Sequence, residues 1–295
     1  MKLFPRPNAR RPQTQVVPMH TDEAELEHVH KVVRKDEGQD KPRPTKRAPL
    51  ADQPRTLAID VGGTHLKAVV LNPKGKLLVE EVFIDTPHPC PPMTLLKAID
   101  RFVASLPAFD RVSIGFPGFV RRGIIVTAPH LGTRPWKDFA LAQALMTRLA
   151  KPVRVLNDAD VQGFGLIQGR GLEMVVTLGT GVGTALFRDG DLMPHLELAH
   201  HPIHNDKTYD EYIGDDVLRR KGVKKWNRRV DKTITILRSL VHYDVLHIGG
   251  GNASKITDPP DDVKIGSNQA GLTGGIRLWD SDEAEFAANS EFPAR

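Results

Sequence analysis

Two glycine-rich turns of one kind limit what this chain can fold into. The first is Ile59-Asp60-Val61-Gly62-Gly63-Thr64. The second is Thr177-Leu178-Gly179-Thr180-Gly181-Val182-Gly183-Thr184. Each follows an apolar β-type run and precedes another one. That pattern spells a hairpin whose tip has little side-chain bulk and several exposed backbone N–H groups. Such tips let a phosphate approach the main chain closely. Two of them, more than a hundred residues apart with Asn157-Asp158 between, point to two half-domains gripping one phosphate chain.

The 295 residues suffice for one large domain or two modest ones. An apolar content of 40% is somewhat low for a globular chain, so part of it is expected to be unpacked. No apolar run approaches the roughly 20 residues of a membrane helix. Met1 to Asn8 lacks the apolar stretch of a secretory signal. Cys90 is the only cysteine, which excludes a disulfide framework and a cysteine zinc cluster within the chain. A cytoplasmic protein with no membrane partner is the expectation. The net charge is +5, and residues 1–55 carry +4 of it. Beyond that tail, Arg219, Arg220, Lys221, Lys224, Lys225, Arg228 and Arg229 place seven cations within eleven residues. They read as a solvated helix face or as a site for a polyanion, either a long phosphate chain or nucleic acid.

Residues 1–55 are rich in Pro, Arg and Lys and poor in large apolar groups. They read as a disordered basic tail, with a short helix allowed from Thr21 to Lys35. Strands are expected at Leu57–Ile59, Lys67–Leu71, Leu77–Ile84, Val112–Phe116 and Val153–Leu156. A helix capped by Thr94 is expected to Ser105, and another over Ala140–Leu149. A second cycle follows. It has a helix over Asp160–Gln168, strands at Met174–Leu178 and Thr184–Arg188, and a turn at Asp189-Gly190. Helices over Tyr209–Arg220 and Lys224–Val241, a strand at Val245–Ile248 and a helix over Ala270–Trp279 complete it. This is an α/β pattern stated twice.

Asp60 stands just before the first glycine turn. A carboxylate beside a phosphate loop is unfavourable unless a cation lies between, so Asp60 suggests Mg²⁺. Gly62, Gly63 and Thr64 would supply N–H groups and a hydroxyl to the donor phosphate, with Lys67 adding a point charge or facing solvent. Gly179, Thr180 and Gly181 would do the same from the second turn. Asn157-Asp158 ends an apolar strand, where ligands sit in α/β sheets; an ordinary N-cap is the competing reading. Phosphoryl transfer to an alcohol needs a carboxylate that takes the hydroxyl proton, and Asp158 is the candidate. Glu197 and His200 can hold adjacent sugar hydroxyls. His195, His200, His201 and His204 are dense enough to raise a zinc site, but no cysteine accompanies them. Gly249 and Gly250 in Gly249-Gly250-Gly251-Asn252 could admit further phosphates or a base, or form a plain turn.

Together these residues resemble the ROK family of sugar kinases, within the actin-like ATPase superfamily. The resemblance runs from about Thr56 to Trp279. It rests on DVGGT (60–64), GFPG (115–118), ND (157–158), LGTGVGTAL (178–186), ELAHHP (197–202) and IGGG (248–251). Within the family the chain is most similar to the polyphosphate glucokinases. The resemblance implies two actin-like (ribonuclease H-like) lobes over residues 56–155 and 156–281, closing on a cleft, with a loose tail over residues 282–295. It implies a hexose substrate, a polyphosphate or ATP donor, Mg²⁺ and a homodimer. It makes Asp158 the base and assigns Asn157, Glu197, His200, Gly115 and Pro117 to the sugar. Three departures stand out. Ala199 replaces the usual glycine, and His130 stands where these kinases commonly have Asn. The family's second sugar-binding glutamate has only Glu211 as a candidate.

The function expected is transfer of a terminal phosphoryl group to the 6-hydroxyl of glucose or a related hexose. The alternative is a non-catalytic sugar-binding regulator or a nucleic-acid-binding pseudoenzyme of the same family. Residues 1–55 are too short and too Pro-rich for the winged helix of the regulators.

Overall fold

The computed structural model describes residues 54–267 and 269–280. The tail and helix expected within residues 1–53, and the loose end after Asp280, lie outside the described residues. In chain order the strands and helices begin with β1 (Thr56–Val61), β2 (His65–Leu71), β3 (Val82–Asp85), α1 (Pro92–Val103) and β4 (Arg111–Phe116). Next come β5 (Val120–Arg121), β6 (Ile124–Ile125), α2 (Thr133–Trp136), α3 (Leu141–Leu149), β7 (Val153–Asn157) and α4 (Asp158–Phe164). The second half holds β8 (Leu172–Leu178), β9 (Val182–Arg188), β10 (Asp191–Leu192), β11 (Pro202–His204), β12 (Lys207–Thr208) and α5 (Tyr209–Ile213). It ends with α6 (Asp215–Lys221), α7 (Val223–Val241), β13 (Val245–Gly249), β14 (Val263–Ile265) and α8 (Ala270–Thr273).

The two large sheets have the same topology. One runs β3-β2-β1-β4-β7 and the other β10-β9-β8-β13-β14. In each, an antiparallel hairpin leads into two parallel strands, and the glycine turn is the tip of that hairpin. The inner strands β1, β4 and β8 are buried along most of their length. That is why they read as continuous apolar runs rather than as alternating ones. Each sheet has its own core. Leu57, Ile59, Ile99, Phe116 and Trp136 anchor the first, and Met174, Trp226, Val230, Leu237 and Ile248 the second. The stripe on α7 packs as its 3.6-residue spacing requires, and the Trp226 indole N–H donates to Ile213 O at 2.7 Å.

Several local expectations need correction. Thr94 is not a cap: α1 starts at Pro92, because a proline fits a first turn whose N–H groups are unsatisfied anyway. Only Val82–Asp85 of the expected third strand pairs along its length, and Leu77 makes a single bridge to Leu71. The helix expected at Asp160 begins two residues earlier, capped by Asn157, and stops at Phe164. The helix expected over Tyr209–Arg220 breaks at Gly214, whose extended backbone (ψ 171°) ends α5 and starts α6. The last helix is one α-turn followed by a 3-10 turn, Gly274–Trp279. Asp189-Gly190 closes its hairpin with both residues at positive φ, the geometry that suits a two-residue loop.

The short helix α4 is the wedge between the sheets. It joins β7 to the second half and approaches β9 so closely that a Cβ at Gly163 would lie 2.4 Å from the Phe187 ring. The C-terminal segment then crosses back to the first sheet. Ser113 Oγ donates to Gly275 O at 2.6 Å, and the Trp279 indole N–H donates to Ser113 Oγ at 2.8 Å. Trp279 also stacks under the Arg154 guanidinium at 4.5 Å. No helix among the described residues is long and apolar enough to cross a membrane. Gly274 sits where the returning segment meets α4, and a Cβ there would lie 2.0 Å from Val161 O. Gly274→Ala should therefore destabilise the fold by about 1–3 kcal/mol, seen as a lowered denaturant midpoint with an unchanged slope.

Candidate active site

A cavity of about 400 Å³ lies between the two glycine turns. The turns face each other across it, with Thr64 Oγ1 and Thr180 Oγ1 3.5 Å apart. Asp60, Gly62, Gly63, Thr64 and Lys67 line it from the first half, together with Pro117. Asn157, Asp158, Gly179, Thr180, Gly181, Glu197 and Gly250 line it from β7 onward. Three expected residues stand back from it. Gly115 lies beneath Asp158, where a Cβ would be 3.2 Å from the Asp158 Cα. A Cβ at Gly249 would be 2.7 Å from Gln162 Oε1. The His200 side chain is half exposed, 3.9 Å from Asp210.

The turns divide their N–H groups between two tasks. Gly62 N–H donates to His65 O at 2.9 Å and Gly179 N–H to Gly181 O at 3.0 Å. These two glycines shape the tips instead of offering donors. The N–H groups of Gly63, Thr64, Thr180 and Gly181 have no intramolecular partner among the described residues. A side chain at Gly181 would collide with His130 Nε2 at 2.9 Å and Asp210 at 3.0 Å. All four residues line the cavity, so unpaired N–H groups are available there to a phosphate.

Asp158 stands at the first position of α4. Asn157, the cap, accepts from Ala159 N–H at 2.8 Å through Oδ1 and donates to Gly118 O at 3.1 Å through Nδ2. Both amide atoms of Asn157 thus fix the helix start, and the N-cap anticipated for Asp158 belongs to its neighbour. Burial raises the Asp158 pKa to about 7, helped by the charge of Asp60 and opposed by the Ala159 N–H. Burial likewise raises Asp60 to about 6, with Lys67 pulling it down and Glu81 pushing it up. Lys67 pairs with Glu81 at 3.4 Å, so its charge is shared rather than aimed wholly at the cavity.

The sequence of residues 56–199 matches the ROK family. A solved polyphosphate/ATP-glucomannokinase from Arthrobacter sp. strain KM superposes with a TM-score of 0.69 at 27% identity, over 77% of this chain and 98% of that one. Over that matched stretch the chain is similar to the ROK family. A polyphosphate glucokinase of Mycobacterium tuberculosis is 26% identical over 207 residues, 67% of this chain and 77% of the relative. A ROK glucokinase from Streptomyces griseus, solved with glucose and AMPPNP, shares the fold at 19% identity and a TM-score of 0.63 over 76% of this chain and 98% of that one.

Glu211, the candidate for the family's second sugar-binding glutamate, is not among the residues that line the cavity. Its carboxylate accepts from Thr208 N–H at 3.0 Å and closes a capping box on α5. Its neighbour Asp210 faces the second turn instead, accepting from Val182 N–H at 2.7 Å. His130 lines the cavity. Gln162 also lines it, and its Oε1 is buried without a partner. Sequence reasoning singled out neither Asp210 nor Gln162, because each owes its place to a contact with a distant segment. Among the described residues no three His, Cys, Asp or Glu side chains are grouped to hold a metal.

The cationic stretch divides in two. Arg219 and Arg220 pair with Asp215 and Asp216, and Arg229 lies over the Tyr212 ring. Lys221, Lys224, Lys225 and Arg228 have no acidic partner among the described residues. Asp215 N–H donates to Gly179 O at 3.2 Å, so α6 starts at the second turn. At about 1.5 Å per residue, Lys221 lies roughly 9 Å farther along it.

A carboxylic acid whose pKa is raised in the native state binds more protons folded than unfolded. Its contribution to stability is complete below pH 3.8 and is lost as the pH climbs to about 7. Asp158→Asn removes that loss and keeps the bond from Ala159. In metal-free buffer the variant should melt at a higher temperature than wild type at pH 8, and the gap should close toward pH 4.

Proposed function

We propose that this chain is a hexose kinase that moves a terminal phosphoryl group from polyphosphate or ATP to the 6-hydroxyl of glucose or a related hexose. One observation carries the reading. Asp158, with its pKa near neutrality, lines the same cavity as four unpaired N–H groups on two facing turns. A general base is most effective when its pKa lies near the working pH.

In this reading the terminal phosphate of the donor lies between the Gly63-Thr64 and Thr180-Gly181 tips. The hexose lies over Pro117, Asp158 and Glu197, with the Gly118 turn held by Asn157. The Asp158 carboxylate takes the proton of the 6-hydroxyl as that oxygen bonds to phosphorus. The bond to the bridging oxygen breaks, and the shortened donor leaves with the electron pair. The residues near Asp60 suit Mg²⁺ to this extent: the Asp60 carboxylate lines the cavity and is a hard oxygen donor. Bound there beside the donor phosphates, the ion would neutralise charge on the transferring group. Polyphosphate is the favoured donor because Lys221, Lys224, Lys225 and Arg228 extend positive charge beyond the second turn.

Purified protein given glucose and Mg²⁺ should phosphorylate glucose with polyphosphate offered alone. Activity with ATP only would overturn the donor preference. Asp158→Asn should lower kcat by about 10² to 10⁴ while calorimetry still shows glucose binding; a near-normal rate would refute its role as base. Replacing Lys224 and Arg228 together by Ala should raise KM for long polyphosphate, more so at low salt, and leave KM for ATP unchanged.

A further inference from the structure

Behind the cavity wall lies a buried chain of three charged groups. Asp160 is on α4, two residues after Asp158. His195 and Glu197 are on the loop between β10 and β11. The His195 Nδ1–H donates to Asp160 Oδ1 at 3.1 Å, and Nε2 points to Glu197 Oε2 at 3.7 Å. The Asp160 and His195 side chains are only 5% and 8% exposed, while Glu197 is 36% exposed and reaches the cavity. The imidazole stacks on Phe119, with centroids 5.7 Å apart and planes 19° apart. Its Nε2 is buried and has no hydrogen-bond partner.

Building on the function proposed above, we infer that His195 is a positioning residue for the sugar. Held by Asp160 and clamped against Phe119, it presents a fixed N–H to Glu197 and keeps that carboxylate aimed at the hexose hydroxyls.

A partly exposed carboxylate at a cavity edge can turn to water or take up a proton. Protonated, it could accept fewer sugar hydroxyl hydrogens. A charged imidazole behind it opposes both. Burial disfavours the charged ring, yet its bond to Asp160 and the charges of both carboxylates outweigh that and push the pKa up to about 10. Burial likewise pushes Glu197 upward, and His195, His200 and the Ala199 N–H more than offset it, holding Glu197 below its usual range. The loop is pinned from the other side as well, because Thr184 Oγ1 donates to Leu196 O. Asp160 and Asp158 share α4, so the chain of charges couples the position of the sugar-facing carboxylate to the helix carrying the base.

The test uses the full chain and D-glucose. His195→Asn keeps a donor for Asp160 and cannot reach Glu197. His195→Gln places an amide where Nε2 stands. Binding of glucose without donor, read by calorimetry, should weaken about tenfold in His195→Asn, which removes the cation 3.7 Å from Glu197 Oε2. It should return to within about threefold of wild type in His195→Gln. KM for glucose should rise with little change in kcat or in KM for the donor. Glu197→Gln should weaken binding by itself, and adding His195→Asn should cost nothing more, since one residue acts through the other. Unchanged binding in His195→Asn overturns the inference and leaves the proposed function standing. So do additive losses in the double variant. A wild-type chain that neither binds nor phosphorylates glucose overturns both. A Tm drop without the binding change marks His195 as a packing residue and also overturns the inference.

Discussion

One side-chain amide holds the site together. Asn157 ends a strand of the first sheet and caps the helix that enters the second half. Its carbonyl oxygen satisfies Ala159 N–H, and its NH₂ reaches Gly118 O in the turn after β4. A cap is typically worth about 1 kcal/mol, but the geometric consequence here is larger. The start of α4, the position of Asp158 and the shape of the Gly118 turn cannot vary independently. Gly118 has no room for a side chain, since a Cβ would lie 2.0 Å from Thr127 O. Backbone and amide therefore fix one another.

From that fixed point the rest follows by close approach. The α4 helix touches strands from both sheets, and it can do so because Ala159, Gly163 and Gly165 line its contacts. With larger residues the sheets would stand apart, the hairpin tips would no longer meet, and Thr64 and Thr180 would lose contact. The cavity lies between the two tips, where the small residues of the glycine turns face each other. The same exclusion of water lifts Asp158 and Asp60, because a carboxylate removed from solvent holds its proton more tightly.

Much of this could be read from the residues in order. Apolar runs on each side of Asp60-Val61-Gly62-Gly63 and of Gly179-Thr180-Gly181 leave little choice but hairpins, and hairpins so alike imply sheets alike. The α7 stripe from Trp226 to Val241 needs only its period. What could not be read depends on partners far along the chain. Gly214 looks like any residue in a polar helix, until Asp210 O and Thr180 O crowd its Cβ position at 2.6 and 3.3 Å. Glu211 has the right type for a sugar ligand, but Thr208 three residues before it makes a local cap a nearer partner. His195 lies in a run of histidines with no local sign that its ring is buried. Its partner Asp160 is 35 residues earlier. The Gly62 and Gly179 N–H groups were equally beyond reach, since only the closed turn shows which amides are spent on it.

In the proposed reaction the charges around the cavity would let the acceptor side and the donor side differ sharply. Asp60, Asp158, Asp160 and Glu197 gather four carboxylates near one helix start, with His195 as the cation buried among them. An anionic donor would be repelled by that group were it not for the main-chain amides facing it. Partial positive charge on fixed N–H groups attracts phosphate without lowering the pKa of a nearby base as strongly as a lysine would. Here Lys67 is held by Glu81 and the free lysines lie about two helical turns away. In the proposed reaction Asp158 would thus keep its affinity for a proton with a phosphate opposite. An arrangement that bound the donor through side-chain cations at the same distance would strip the base of the very basicity that proton abstraction needs. Amide cradles and a desolvated aspartate are, on electrostatic grounds, a matched pair.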